Sequence, residues 1–202
     1  MKNFLFLSCF FICYSSAYSQ QEYHHINSGK TIDKGIEAND AGDYEKAISF
    51  YKLIPPGDTN YMTAIYEMEL SYLNLEKYDS VIALCTVHLK QNWGRHFNTY
   101  SVLGTAFDNK DEHEKAIEVY KEGIAKFPVN AVLNYNLAVT YQNLEQTDSA
   151  ITYYKNAIRI DPFHHSSHLR LAGICANEKE LTKAMLCFNT FLILEPNSSR
   201  SL

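Results

Sequence analysis

The sequence predicts an all-α solenoid of about five helix-turn-helix repeats, and three observations carry that expectation. The first is a period. Pro128, Pro162 and Pro196 stand 34 residues apart, as do Ala116, Ala150 and Ala184, then Leu103, Leu137 and Leu171, then Tyr120, Tyr154 and Phe188. Four columns sharing one period mark a repeat architecture. The second is that each unit holds two apolar stripes at three- and four-residue spacing, the mark of paired amphipathic helices. The third is composition: 202 residues, 46% hydrophobic and 20% charged, suit an ordinary globular unit with a real core.

Taken in order, the chain opens with MKNFLFLSCFFICYSSAYSQQ. One Lys, an apolar run and then Ala17-Tyr18-Ser19 have the form of a secretory signal peptide over 1–19, cleaved before Gln20. That run is too short to span a bilayer. No later segment reaches membrane length, so no membrane span is expected in the mature chain. Neither Cys9 nor Cys13 has the upstream residues of a lipidated cysteine. Residues 20–27 read as a short linker. Repeats are expected near 28–61, 62–96, 97–130, 131–164 and 165–198, followed by a 199–202 tail. Their second helices open with the aligned stretches GDYEKAISFYK, EKYDSVIALCT, DEHEKAIEVYK, EQTDSAITYYK and LTKAMLCFNTF.

In the third unit Tyr100, Leu103, Gly104 and Phe107 make the first stripe, and Asp108 to Glu112 a polar turn. Ala116, Ile117, Tyr120 and Ile124 make the second stripe, ended by Phe127-Pro128 because proline cannot continue a helix. Gly104, Ala138 and Ala172 are expected to face Ala116, Ala150 and Ala184, so that paired helices approach closely with aromatics beside them. A single hairpin cannot bury its stripe, whereas stacked hairpins share one core. Asn74, Asn109, Asn143 and Asn177, with Asp40 in the first repeat, close the first helices. Asparagine tolerates left-handed geometry, which makes this column turn chemistry. The sharper reading is a ladder of amides along a groove, able to bond an extended peptide.

These residues resemble the tetratricopeptide repeat family over 28–198. Units three to five match its small, aromatic and proline columns. The second has Cys85 at the aromatic position and Trp93 where proline is usual, and the first keeps Gly35, Ala47 and Tyr51 but has Lys34 in place of leucine. The resemblance implies a right-handed superhelix whose concave groove, lined by the first helix of each repeat, receives a protein or peptide partner. Carried over, the groove residues are Tyr66, Ser101, Thr105, Asp108, Tyr135, Asn136, Val139, Gln142 and Arg170, with Gly173 beside them. The carboxylate clamp of some relatives is matched only at Asn136 and Arg170. Ser101, Thr105 and Ser166 stand at its other positions, so that clamp is not expected. The leader is similar to those of bacterial envelope proteins, which implies a periplasmic or secreted protein. The implied function is an exported protein-binding scaffold. The alternative is a periplasmic sensory module that takes a peptide or small ligand.

Charge and motifs exclude other classes. The formal charge is −5 and no Lys/Arg cluster occurs, the wrong balance for a phosphate-binding surface, so no nucleic acid is expected. The chain lacks a Gly-rich phosphate loop, a nucleophile elbow and a helical His-Glu-x-x-His, so neither catalysis nor a cofactor is expected. His164 and His168, four apart in FHHSSH with His165 between them, have metal-ligand spacing. The preferred reading is that they open the fifth repeat, with His168 packed, and no metal site is expected. Cys85, Cys175 and Cys187 are an odd set after the leader, which suits buried thiols better than a disulfide framework. The last helix, KAMLCFNTFLILEP from Lys183, is apolar on almost every side. Ala184, Phe188 and Phe191 are expected to pack on its partner helix. Met185, Leu186, Leu192 and Ile193 are expected to form an interface, by self-association or with a partner.

Overall fold

The computed structural model describes residues 27–91 and 97–194. The leader, most of the 20–27 linker, Trp93, Pro196 and the tail lie outside them. Among the described residues there are ten α-helices and no strand, in five consecutive pairs: α1 (Ser28–Asp40) with α2 (Tyr44–Tyr51), α3 (Tyr61–Asn74) with α4 (Tyr78–Gln91), α5 (Phe97–Asp108) with α6 (His113–Lys126), α7 (Ala131–Asn143) with α8 (Thr147–Ile160), and α9 (His165–Asn177) with α10 (Leu181–Leu194). Each helix packs on its neighbours in the chain, and α1, α3, α5 and α7 also touch one another in succession. This is the helical solenoid that the period predicts.

Local chemistry fixes the starts and stops. The side chains of Asn27, Asp43 and Asn130 accept from the backbone N–H groups of Lys30, Lys46 and Leu133, capping α1, α2 and α7. α2 is the shortest helix, and Ile54-Pro55-Pro56 follows it closely, with Ile54 buried. Two prolines in a row forbid helical continuation there.

Every first helix closes alike. After α3, the Glu76 N–H donates to the Leu73 carbonyl and the Lys77 N–H to the Tyr72 carbonyl, the paired bonds of a Schellman motif. The same pair recurs after α1, α5, α7 and α9. The residues with positive φ at these five turns are Gly42, Glu76, Asp111, Glu145 and Lys179, at 78°, 56°, 60°, 58° and 62°. The asparagine column is therefore not the left-handed position. Asn74, Asn143 and Asn177 are the last helical residues of α3, α7 and α9, and the reversal falls two residues later. There it aims two N–H groups back at open carbonyls, which a reversal at the helix's own last residue would not do.

The core is built from the repeating columns. Ala47, Val81, Ala116 and Ala150 are fully buried, and Tyr51, Tyr120 and Tyr154 nearly so. A Cβ added at Gly35 would lie 2.3 Å from Tyr51 Cε1, and one at Gly104 would lie 2.4 Å from Tyr120 Cε1. At Gly104 the three atoms nearest such a Cβ all belong to the Tyr120 ring, an aromatic of the kind expected beside the small residues, and it occupies the space a methyl group would take.

Candidate functional site

The first helices α3, α5, α7 and α9 carry the groove residues, and most of these side chains are half-buried. Successive repeats are tied together along this face. Asn136 Nδ2 donates to Ser101 Oγ at 2.8 Å, and Asn143 Nδ2 to Asp108 Oδ2 at 3.3 Å. The other Asp108 oxygen lies 2.6 Å from His113 Nδ1. Thr105 donates to the Ser101 carbonyl and sits 3.0 Å from the Tyr120 hydroxyl. Tyr154 donates to Gln142 Oε1 at 2.6 Å. Tyr135 packs near Tyr154 and His164, with ring centroids 5.8 and 5.1 Å away. A hydrogen bond with Tyr135 raises the pKa of the exposed Arg170 guanidinium. Val139 is half-buried against the central core.

The structure thus brings Ser101, Thr105, Asp108, Asn136 and Gln142 into bonds that brace the repeats. Tyr66 stands apart, on a pocket between α3 and α5. Of the asparagine column, Asn143 spends its amide on Asp108, while Asn74, Asn109 and Asn177 are exposed.

Charge is unevenly spread over the first helices: α1 carries both signs, with Lys30 and Lys34 beside Asp33, Glu37 and Asp40. α3, α5 and α7 together carry Glu67, Glu69 and Asp108 and no Lys or Arg, and Arg170 lies beyond them on α9. Burial, then the charge of Asp40, raises the Glu67 carboxyl above its ordinary range. Burial, then Glu67 and Glu69, raises the Tyr66 hydroxyl.

The histidines are engaged within the fold. His164 Nδ1 lies 2.8 Å from Ser167 Oγ, His168 Nε2 3.0 Å from the Pro162 carbonyl, and the His165 ring 6.5 Å from Phe191. Among the described residues no group of three or more His, Cys, Asp or Glu is placed to hold a metal.

Sequence reasoning missed a buried ionisable pair. Glu69 Oε1 lies 2.8 Å from His88 Nδ1, joining α3 to α4, with side chains 0% and 2% exposed. Aligned by the period, Glu69 stands where the third repeat has Gly104, Cys85 where it has Tyr120, and His88 where it has Gly123. A carboxylate and an imidazole refill the volume the missing aromatic would occupy. Burial first, then Glu69, pushes the Cys85 thiol far above its ordinary range. The column comparison shows the exchange once Glu69 is read against its small counterparts.

The last helix differs in part from expectation. Met185, Leu186 and Ile193 are 66%, 69% and 78% exposed, and Phe191 is fully buried. Leu192, however, is half-buried, and Phe188 is 40% exposed. Phe188 continues the Tyr120–Tyr154 column, and in α10 its ring borders an open apolar groove of about 340 Å³ with Leu169, Ala172, Gly173, Ala176, Ala184 and Met185.

Two family models, both described as tetratricopeptide repeat, match residues 131–164 and 97–125. The chain is 33% identical over 158 residues to tetratricopeptide repeat protein 21B of Xenopus laevis, covering 78% of this chain and 12% of that protein. It is 27% identical over 144 residues to BBSome complex member BBS4 of Bos taurus, covering 71% of this chain and 27% of the relative. It therefore spans only about a tenth to a quarter of these curated relatives. In fold it is similar to TTC0263, a thermophilic protein of the same repeat type from Thermus thermophilus, at a TM-score of 0.70 and 18% identity, covering 86% of this chain and 94% of that one. It is also similar to MamA of Desulfovibrio magneticus RS-1, at 0.62 and 20%, covering 85% and 97%.

Proposed function

We propose that this chain, which carries tetratricopeptide repeats, is an exported scaffold, periplasmic or secreted, that holds a protein or peptide partner in its concave groove. The observation that carries the reading is the face of α3, α5, α7 and α9. A row of half-buried polar and aromatic side chains runs from the acidic α3 and α5 to Arg170, on helices braced by Asn136–Ser101 and Asn143–Asp108. A rigid surface with ordered charge favours one partner orientation and penalises others. No catalytic role is assigned. The apolar face of α10, with Met185, Leu186 and Ile193 exposed, serves as a second contact for a partner or another copy, and Leu192 supports it from the half-buried side. Export rests on the leader sequence.

The groove is tested by affinity capture from the native source with wild type and with Tyr135→Ala/Arg170→Ala. Partners retained by wild type and lost from the variant, at unchanged helicity, support the reading. Equal capture by both removes the groove's C-terminal half from it.

A further inference from the structure

We propose that two copies of this chain pair about a two-fold axis through the apolar end face of α9 and α10, with α10 of each copy seated in the α9–α10 groove of the other. This rests on the scaffold reading, whose second contact it fills, and it leaves the face of the first helices free for the partner.

Inside the solenoid the same seat is filled by the next repeat. Ala150, Ile151 and Tyr154, the counterparts of Ala184, Met185 and Phe188, lie on α8, against which α9 packs, and Tyr154 is fully buried. One repeat earlier α7 packs against α6, where a Cβ added at Gly123 would lie 3.1 Å from Leu133 Cδ1. The filling element is thus a helix with aliphatic side chains on its incoming face. At α10 the seat is open. Phe188 is exposed, and the groove of about 340 Å³ beside it is lined by Ala172, Gly173 and Ala176 of α9. A Cβ added at Gly173 would meet nothing within 4 Å, so an incoming side chain has room there. The hydroxyls of Tyr120 and Tyr154 lie within hydrogen-bond distance of Thr105 and Gln142. Phe188 has no hydroxyl to satisfy, which suits it to an apolar cover.

The two ends of the solenoid differ in what they offer a second copy. On α1 the exposed Lys30, Lys34 and Glu37 stand where α7 has Leu133, Leu137 and Thr140 and where α9 has Ser167, Leu171 and Ile174, all six of them buried. Setting α1 into an apolar groove would strip water from three charges, which disfavours head-to-tail stacking. α10 is the opposite. At about 100° per residue, Leu181, Met185, Phe188 and Leu192 share one stripe, with Leu186 and Ile193 beside it, and no charged residue falls on that arc. Lys183 lies off it and pairs with Glu180. Leu181, Met185, Leu186 and Ile193 are exposed. Ridge and groove therefore occur on one face, so the face is complementary to itself under a two-fold rotation, which closes at two copies. Its lack of charge also lets chains of formal charge −5 meet without opposing like charges at the contact. A face two helices wide and about 20 Å long buries on the order of 1,000 Å² over both copies, the lower edge of specific interfaces. The pairing is accordingly reversible, in the micromolar range.

Sedimentation velocity over about 1–100 μM tests the pairing, with wild type run beside Met185→Glu and Gly173→Trp. The first variant places a charge on the ridge and the second fills the groove. Both positions are exposed, so unchanged helicity is expected for each. Wild type is expected to show a monomer–dimer equilibrium that stops at two copies, and each variant to weaken it by roughly tenfold or more. A wild type that is monomeric throughout would overturn the pairing and leave the face to a partner of other sequence. Species that grow beyond two copies, or a dimer that either variant leaves intact, would overturn it as well. Partner capture by wild type and by Tyr135→Ala/Arg170→Ala is read separately, so the groove reading does not fall with the dimer.

Discussion

Gly104 and Gly173 are both helical glycines, yet a methyl group at each meets opposite surroundings. At Gly104 it would press into the Tyr120 ring, whereas at Gly173 nothing lies within 4 Å. Gly104→Ala should therefore cost about 1–3 kcal/mol as overpacking, and Gly173→Ala should be neutral or gain up to about 1 kcal/mol of helix propensity. Urea unfolding of the two variants beside wild type checks the difference. Glu145, at φ 58°, holds a conformation that costs a side-chain-bearing residue roughly 1–2 kcal/mol. Glu145→Gly should relieve it, offset in part by glycine's greater chain entropy. A net gain of about 1 kcal/mol is expected, with none for Glu145→Ala. The thiols follow burial: Cys85 is fully buried and Cys187 only partly. Native alkylation should modify Cys187 well before Cys85, and reductant should leave melting unchanged.

Between elements, the bond that departs from the repeat is Glu69–His88, which ties α3 to α4. His88→Ala leaves a buried carboxylate without its partner, a change that typically costs about 3–5 kcal/mol. Glu69→Ala/Cys85→Tyr/His88→Ala, which copies Ala138, Tyr154 and Ala157 of the fourth repeat, should cost less than His88→Ala alone, as denaturant midpoints would show. At the start of α9, burial lowers the His164 pKa, with the charges of His165 and His168 acting the same way against Asp161. A depressed histidine favours the neutral, folded form. Its contribution is present above the ordinary histidine range and is lost as pH falls from there through the depressed folded value. Melting temperature should drop over that window, and His164→Leu should flatten the drop. The helices were legible because side-chain volume recurs every 34 residues, at Ala116, Ala150 and Ala184 for instance. Most of the left-handed turns were not, since Glu76, Glu145 and Lys179 carry no composition signal for that conformation while nearby asparagines do. Glu69 and His88 escaped because they sit in two different columns, each unremarkable until compared with its counterparts. Groove positions could be named from the period, but not their bonds, which join side chains 35 residues apart, as in Asn136–Ser101.

On the proposed reading, two surfaces are offered to a partner across the whole molecule: the face of the first helices and the apolar face of α10. Light scattering of wild type beside Leu186→Glu/Ile193→Lys separates them. Self-association through α10 predicts a larger species in wild type that the variant abolishes, and two monomers would leave α10 to a different partner or to none. The leader predicts an intact mass from the native host that starts at or near Gln20, and a mass that retains Met1 would contradict export. The claim that the partner lies in the groove is tested most directly by site-specific photo-cross-linking in the native host. A photoreactive side chain replaces Val139, half-buried on the groove-lining helix α7, or Glu118, exposed on α6. The account predicts a discrete cross-linked partner from the Val139 position and none from Glu118. A partner trapped from Glu118, with Val139 silent, would contradict it.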